Sequence, residues 1–258
     1  MSWLTKTLTS SIGKKVLMAL TGLFLCTFLI IHLIGNLQLL KDDGGYAFNT
    51  YAVFMTSNPL IKTTSYLLYA SILFHAFWGL YITWQNKKAR PVGYAKVNQS
   101  STLASRNMAV LGTIVLVYIA VHMADFWAEY KFGHMPYVSY TENLNSGAIE
   151  STPMEAGYVQ ESKMVESYDQ SNLSKTTIVK DLYTEVAEAF KNPLISIFYV
   201  LAMIAMGYHL AHGFQSGFQT LGINHPKYSP FIKNVGIWIF AILIPAGFAV
   251  LPLYFLIK

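Results

Sequence analysis

Charge and cysteine are both scarce in this sequence. Of its 258 residues, 12% are Asp, Glu, Lys or Arg and 53% are hydrophobic, whereas soluble domains carry about 25% charged residues. The single cysteine, Cys26, excludes an internal disulfide, a four-thiolate cluster and haem attachment through a CxxCH motif. The sequence therefore excludes a soluble enzyme, a nucleic-acid-binding module and a disulfide-stapled secreted domain.

Long apolar runs take up about half of the chain. Five stretches contain no charged residue, at 16–40, 63–86, 107–124, 192–226 and 234–257. A helix of about 20 apolar residues crosses the hydrocarbon core of a bilayer. We therefore predict an all-α membrane protein, a single integral domain over 1–258, with spans at about 14–40, 62–87, 106–130, 193–220 and 232–257.

The basic residues are concentrated in alternate connections. One side of the membrane receives the N-terminal segment and the connections between spans 2 and 3 and between spans 4 and 5, with Lys6, Lys14, Lys15, Lys87, Lys88, Arg90, Lys96, Arg106, Lys227 and Lys233. The other side has Lys41, Lys62 and Lys258, offset by Asp42 and Asp43. Because cytoplasmic loops carry the excess of Lys and Arg, the N-terminus is predicted inside and the C-terminus outside.

The connection between spans 3 and 4, residues 131–192, is long, acidic and extracytoplasmic by this topology. Gly147, Pro153 and Gly157 predict an irregular or poorly ordered first half. Residues 175–191 place an apolar residue at every fourth position, which predicts a helix, through Ile178, Leu182, Val186 and Phe190. This helix either lies along the membrane surface or packs on neighbouring loops.

Five of the seven histidines fall within apolar runs, at His32, His75, His122, His209 and His212. Ionisable residues inside a membrane are candidate functional residues, although a hydrogen bond to a neighbouring helix also explains any one of them. His32 and His122 come late in outward-running spans. His75 and His209 lie near the middle or in the inner half of inward-running spans, which predicts two pairs at two depths.

Pairs of facing histidines favour haem over zinc. Zinc takes three or four converging protein ligands, whereas a porphyrin supplies four nitrogens and leaves two axial positions for imidazoles. His75 and His209 are each followed four residues later by a glycine that allows close approach, Gly79 and Gly213. Iron with both axial positions filled transfers electrons, and a membrane-soluble quinone is the expected redox partner.

Several segments carry a family resemblance: Leu20-Thr-Gly-Leu-Phe with His32-Leu-Ile-Gly-Asn-Leu, Leu73-Phe-His-Ala-Phe-Trp-Gly-Leu, His122-Met-Ala-Asp-Phe-Trp, and the run from Gly207 to Gly222. They resemble the single-chain, five-helix, two-haem cytochrome b anchor subunit of succinate dehydrogenase and fumarate reductase, respiratory complex II. The fourth-helix ligand of that family is followed by glycine after four and thirteen residues. His209 fits this spacing with Gly213 and Gly222, and His212 does not.

The resemblance implies two b-type haems, a distal one on His32 and His122 and a proximal one on His75 and His209. It implies a bacterial cytoplasmic membrane and the role of a quinone-reacting anchor, not of the dehydrogenase itself. Flavoprotein and iron–sulfur subunits would bind the cytoplasmic loops around 87–106 and 224–233, and electrons from succinate would pass to menaquinone. One position departs from some members, because Gly207 stands where they carry a membrane-embedded glutamate.

Four further residues are weaker candidates. Arg90 and Arg106 are candidates to bind haem propionates, or they are basic residues that only set the topology. Asp125 is a candidate for proton exchange at a distal quinone site, or it is an ordinary interfacial carboxylate. His212 begins a polar stripe with Gln215, Ser216 and Gln219. Two other functions stay open: a dihaem cytochrome b of a hydrogenase or formate dehydrogenase, and a transporter or proton channel that uses histidines as a relay.

Overall fold

The computed structural model describes residues 3–90, 92 and 102–258, so Lys96 of the predicted basic loop lies outside the described residues. Five helices are long and apolar enough to cross a membrane, which supports the transmembrane character. They extend over Ser11–Leu40, Pro59–Ala89, Met108–Phe132, Pro193–Thr220 and Ser229–Ile257. We number them spanning helices 1 to 5, and their ends lie within about three residues of the predicted spans.

Three of the spanning helices change their hydrogen-bond pattern along their length. Spanning helix 1 ends in a 3₁₀ turn, Leu37–Leu40, after the α-helix Ser11–Asn36. Spanning helix 3 is α-helical over Met108–His122 and Glu129–Phe132 and π-helical over Met123–Ala128. Spanning helix 5 is π-helical over Gly236–Leu243, between the α-helices Ser229–Val235 and Ile244–Ile257. The described short helices are Trp3–Thr9, Tyr46–Ser57, Leu103–Arg106 and Leu182–Lys191.

The chain divides into two compact units. The first unit comprises Met1–Ile31, Tyr66–Tyr118 and Tyr199–Ala249. The second comprises His32–Ser65, Ile119–Phe198 and Val250–Lys258, and it includes the whole connection between spanning helices 3 and 4.

The predicted all-α class is wrong for this connection, which is neither irregular nor purely helical. It forms a four-stranded antiparallel sheet in the order β2-β1-β4-β3. The strands are β1 Tyr137–Asn143, β2 Ile149–Pro153, β3 Met164–Tyr168 and β4 Ser174–Lys180. Gly147 and Gly157, with φ of 70° and 88°, lie between strands and not in a disordered tail.

The predicted helix over 175–191 begins only at Leu182, because the residues before it form β4. Thr176, Thr177, Ile178 and Val179 are β-branched, which favours a strand, and alternate residues Thr177 and Val179 are buried. Asp181 then caps the helix by accepting a 3.1 Å hydrogen bond from the Thr184 N–H. The spacing from Ile178 to Leu182 therefore crosses a strand-to-helix junction.

The helix Leu182–Lys191 packs on neighbouring elements. Its Val186 and Phe190 are buried, and the Phe190 ring meets the Phe126 ring of spanning helix 3 at a centroid distance of 5.7 Å. This burial agrees with the predicted packing on neighbouring segments, and the placement along the membrane surface stays a prediction.

A buried asparagine joins the helix Tyr46–Ser57 to the sheet. Asn49 is 1% exposed, and its Nδ2 donates to the Tyr140 hydroxyl at 2.9 Å and to Asp181 Oδ1 at 3.1 Å. Its Oδ1 accepts the Tyr183 N–H at 2.9 Å. Burial, and then the charge of Asp181, raises the pKa of Tyr140, whose hydroxyl donates to the Gly44 carbonyl at 3.1 Å. All three bonds of the amide therefore bridge segments distant in sequence.

Replacing Asn49 should destabilise the second unit. Asn49→Ala removes three hydrogen bonds and leaves buried partners unsatisfied, so we expect a loss of about 2–4 kcal/mol. Thermal unfolding and limited proteolysis of the 131–192 connection measure this loss. Asn86→Ala, at an exposed position near the end of spanning helix 2, is the matched control and should change stability by about 0.5 kcal/mol or less. Equal unfolding temperatures for the two variants would contradict the bridging role.

Candidate functional site

The first unit brings His75 of spanning helix 2 next to His209 of spanning helix 4. Their ring centroids are 6.3 Å apart and their planes are inclined by 74°. Both side chains are half-buried. The two residues predicted to pair in the inner half of the membrane therefore face one another.

The second unit brings together the other predicted pair, His32 of spanning helix 1 and His122 of spanning helix 3. Their ring centroids are 5.8 Å apart, with an interplanar angle of 81°. Asn36, one turn after His32, donates its amide N–H to the His32 carbonyl at 2.8 Å and lies 3.3 Å from its Nδ1. The Phe126 ring packs edge-on against His122 at 5.6 Å.

His122 is the last residue before the π-helical segment of spanning helix 3. π-Helical turns inside α-helices occur often at functional sites, because the wider turn changes where the following side chains point. Here the π-helical segment contains Phe126, which lies between His122 and Phe190 of the second unit. The irregularity therefore lies beside one of the two pairs.

Both separations suit two imidazoles on opposite sides of one metal atom. A metal–imidazole bond is about 2.0 Å long and the ring centre lies about 1.1 Å beyond the bonded nitrogen, so the two ring centres should be about 6.2 Å apart. The observed distances of 6.3 Å and 5.8 Å are close to this value. Two imidazoles at each site are donors of the kind that a haem iron takes from a protein.

Two glycines to which the sequence analysis gave no role pack against the rings of His75 and His209. A Cβ at Gly22 of spanning helix 1 would lie 3.2 Å from Cε1 of His75, and a Cβ at Gly112 of spanning helix 3 would lie 3.4 Å from Cε1 of His209. Each ring thus packs against a bare Cα of the preceding spanning helix. Gly22 belongs to the Leu20-Thr-Gly-Leu-Phe segment of the resemblance, but a glycine in a membrane helix does not itself indicate which ring it faces.

The two glycines predicted to allow close approach have different surroundings. A Cβ at Gly79 would meet the Met18 side chain at 3.6 Å. A Cβ at Gly213, one helical turn after His209, would meet nothing within 4 Å among the described residues. The prediction of close approach at Gly79 and Gly213 therefore stays a prediction.

Gly207, where the sequence analysis noted the absence of a glutamate, has a packing role. A Cβ at this position would lie 2.6 Å from the carbonyl oxygen of Ala241, in the π-helical segment of spanning helix 5. Any side chain here would push the two helices apart. An acid is therefore sterically excluded at this position.

The weaker candidates lie at the following places. His212 is half-buried, one turn from His209, and its ring belongs to neither pair. Arg90 follows spanning helix 2 and Arg106 ends the helix Leu103–Arg106, and both are exposed. Asp125 is partly buried in the π-helical segment of spanning helix 3.

Comparison with family models, with curated proteins and with solved structures gave no match to this chain.

The geometry distinguishes the roles of two neighbouring histidines. His209→Ala removes one member of the His75 pair, so if each pair holds one haem we expect the haem content to fall from two per chain to one. His212→Ala, three residues away, should retain two, because His212 lies outside the pair. The pyridine haemochrome assay on the purified variants measures both contents. Two haems in His209→Ala, or one in His212→Ala, would overturn the assignment.

Proposed function

We propose that this chain is the dihaem cytochrome b membrane anchor of a succinate:quinone oxidoreductase. It carries electrons between a cytoplasmic flavoprotein and iron–sulfur dehydrogenase and a membrane quinone, menaquinone by the family resemblance. The observation that carries the proposal is the pair of facing imidazoles in each compact unit, at centroid distances of 6.3 Å and 5.8 Å.

His75 and His209 would hold one b haem, and His32 and His122 the other. Each haem, when bound, supplies a one-electron change of oxidation state at its iron. With two imidazoles of the chain on each haem iron, no position would stay open for a substrate, and the role that fits is electron transfer. Gly22 and Gly112 fix two of the four rings against neighbouring helices.

The basic residues support a cytoplasmic docking face for the dehydrogenase subunits. Among the described ones, Lys87 and Lys88 end spanning helix 2, and Lys227 and Lys233 lie near the start of spanning helix 5; all four are exposed. Alternation of the spans places these ends on one side of the membrane, and the excess of Lys and Arg marks that side as cytoplasmic. An exposed basic surface there also suits an acidic partner.

The proposal is tested on the native complex. Extraction in mild detergent should recover the chain with two b haems, with a flavin-containing subunit and with an iron–sulfur subunit. Succinate should reduce the haems, and a menaquinone analogue should reoxidise them, as followed by the b-type absorbance bands. A haem-free native preparation would refute the cytochrome assignment. Molybdenum or nickel in the co-purified subunits would instead assign the chain to a formate dehydrogenase or a hydrogenase.

A further inference from the structure

Thr21 of spanning helix 1 makes a polar contact with the candidate ligand His75. Its Oγ1 lies 3.0 Å from Nδ1 of the imidazole. The same hydroxyl donates to the Leu17 carbonyl at 2.8 Å, one helical turn earlier. A hydroxyl has a single proton, and the Met18 carbonyl is a second backbone acceptor for it at 3.2 Å. With that proton on a backbone carbonyl, Thr21 acts as the acceptor toward His75.

This direction of the hydrogen bond corresponds to one tautomer of His75. If Nδ1 carries the proton and donates it to Thr21, the lone pair of the neutral ring is on Nε2. Metal-bound histidines usually donate their second ring N–H in this way, which orients the ring and raises its basicity. The next residue, Gly22, packs against Cε1 of the same ring, so two consecutive residues of spanning helix 1 contact the His75 imidazole.

The partner ring has the same packing without the hydroxyl. Gly112 faces Cε1 and Nδ1 of His209 as Gly22 faces those atoms of His75. The residue before Gly112 is Leu111, where Thr21 precedes Gly22. Nδ1 of His209 is buried, and within the described part of the chain it has no hydrogen-bond partner. The two imidazoles of this pair are therefore inequivalent.

We propose that Thr21 is a positioning residue that holds His75 in its Nδ1–H tautomer and lowers the reduction potential of the haem on the His75–His209 pair. The inference rests on the proposed function. A ring that shares its N–H with an acceptor donates more electron density through Nε2, and this favours the oxidised iron. The other pair lacks this residue and should not respond to it.

The test is a redox titration of Thr21→Val, which keeps the shape of the side chain and removes the hydroxyl. We expect the reduction potential of one of the two haems to rise by roughly 30–60 mV. For a one-electron couple this is about a threefold to tenfold shift of the equilibrium toward the reduced state. The other component should not move. Loss of that single haem would also support the proposal, provided that Thr21→Ser, which restores the hydroxyl, retains it at the wild-type potential.

Thr27→Val is the matched control on the same helix. The Thr27 hydroxyl donates only to the Leu23 carbonyl, at 3.1 Å among the described contacts, and its side chain is exposed. This variant should titrate like the wild type. Unchanged potentials with two haems in Thr21→Val would overturn the inference, and so would equal shifts in Thr21→Ser and Thr21→Val.

A second measurement separates this inference from the proposed function. Nitrogen-15 NMR of labelled histidine in the chain freed of haem should show a protonated Nδ1 for His75, assigned by its loss in His75→Gln. That proton should be redistributed to Nε2 in Thr21→Val. A haem-free native protein with this tautomer would refute the cytochrome assignment and leave the Thr21–His75 bond standing. Two haems in the native protein, together with an Nε2–H tautomer of His75 in the chain freed of haem, would refute only the role of Thr21.

Discussion

An imidazole in the hydrocarbon core of a membrane must find a polar partner within the protein or in a bound group, because lipid offers no hydrogen bond. This constraint governs four of the five spanning helices, each of which carries at least one deep histidine. Two imidazoles that face one another do not fully satisfy this need, since each neutral ring has one donor and one acceptor. The ring centres are 5.8 Å and 6.3 Å apart, which leaves room for a metal atom bonded to both rings, and the proposed haem sites rest on this spacing.

Holding such rings requires small residues on the facing helices. Side chains of ordinary size between helices would keep a ring several ångströms from its neighbour, whereas Gly22 and Gly112 let a ring touch the backbone. Gly207 serves a different contact, in which the carbonyl of Ala241 approaches the backbone of spanning helix 4. At these three positions the absence of a side chain permits the close contact. A larger residue at Gly22 or Gly112 would displace a histidine ring, and one at Gly207 would increase the distance between two helices.

The sequence predicted the spanning helices and the histidine pairing for a simple physical reason. Composition alone identifies membrane spans. The position of a histidine along its span gives its depth in the membrane, because each residue of a helix adds a fixed rise. Contacts such as Thr21 with His75, or Gly112 with His209, depend on which face each helix turns to its neighbour. Nearly uniform apolarity removes that information, because lipid-facing and protein-facing residues are chemically alike.

The sheet of the 131–192 connection escaped prediction for the opposite reason. Four of the five residues of β2 and four of the five of β3 are exposed, so these strands lack the alternation that marks a half-buried strand. The inner strands β1 and β4 share a buried cluster with Val53 of the helix Tyr46–Ser57, and Asn49 of that helix binds Tyr140 of β1. That helix comes about 90 residues earlier in the chain. A connection whose sequence is acidic and irregular is therefore ordered by a buried amide network of the kind found in soluble domains. In the spanning helices, the packing of neighbours is instead determined by backbone contacts at glycines and by a few polar side chains.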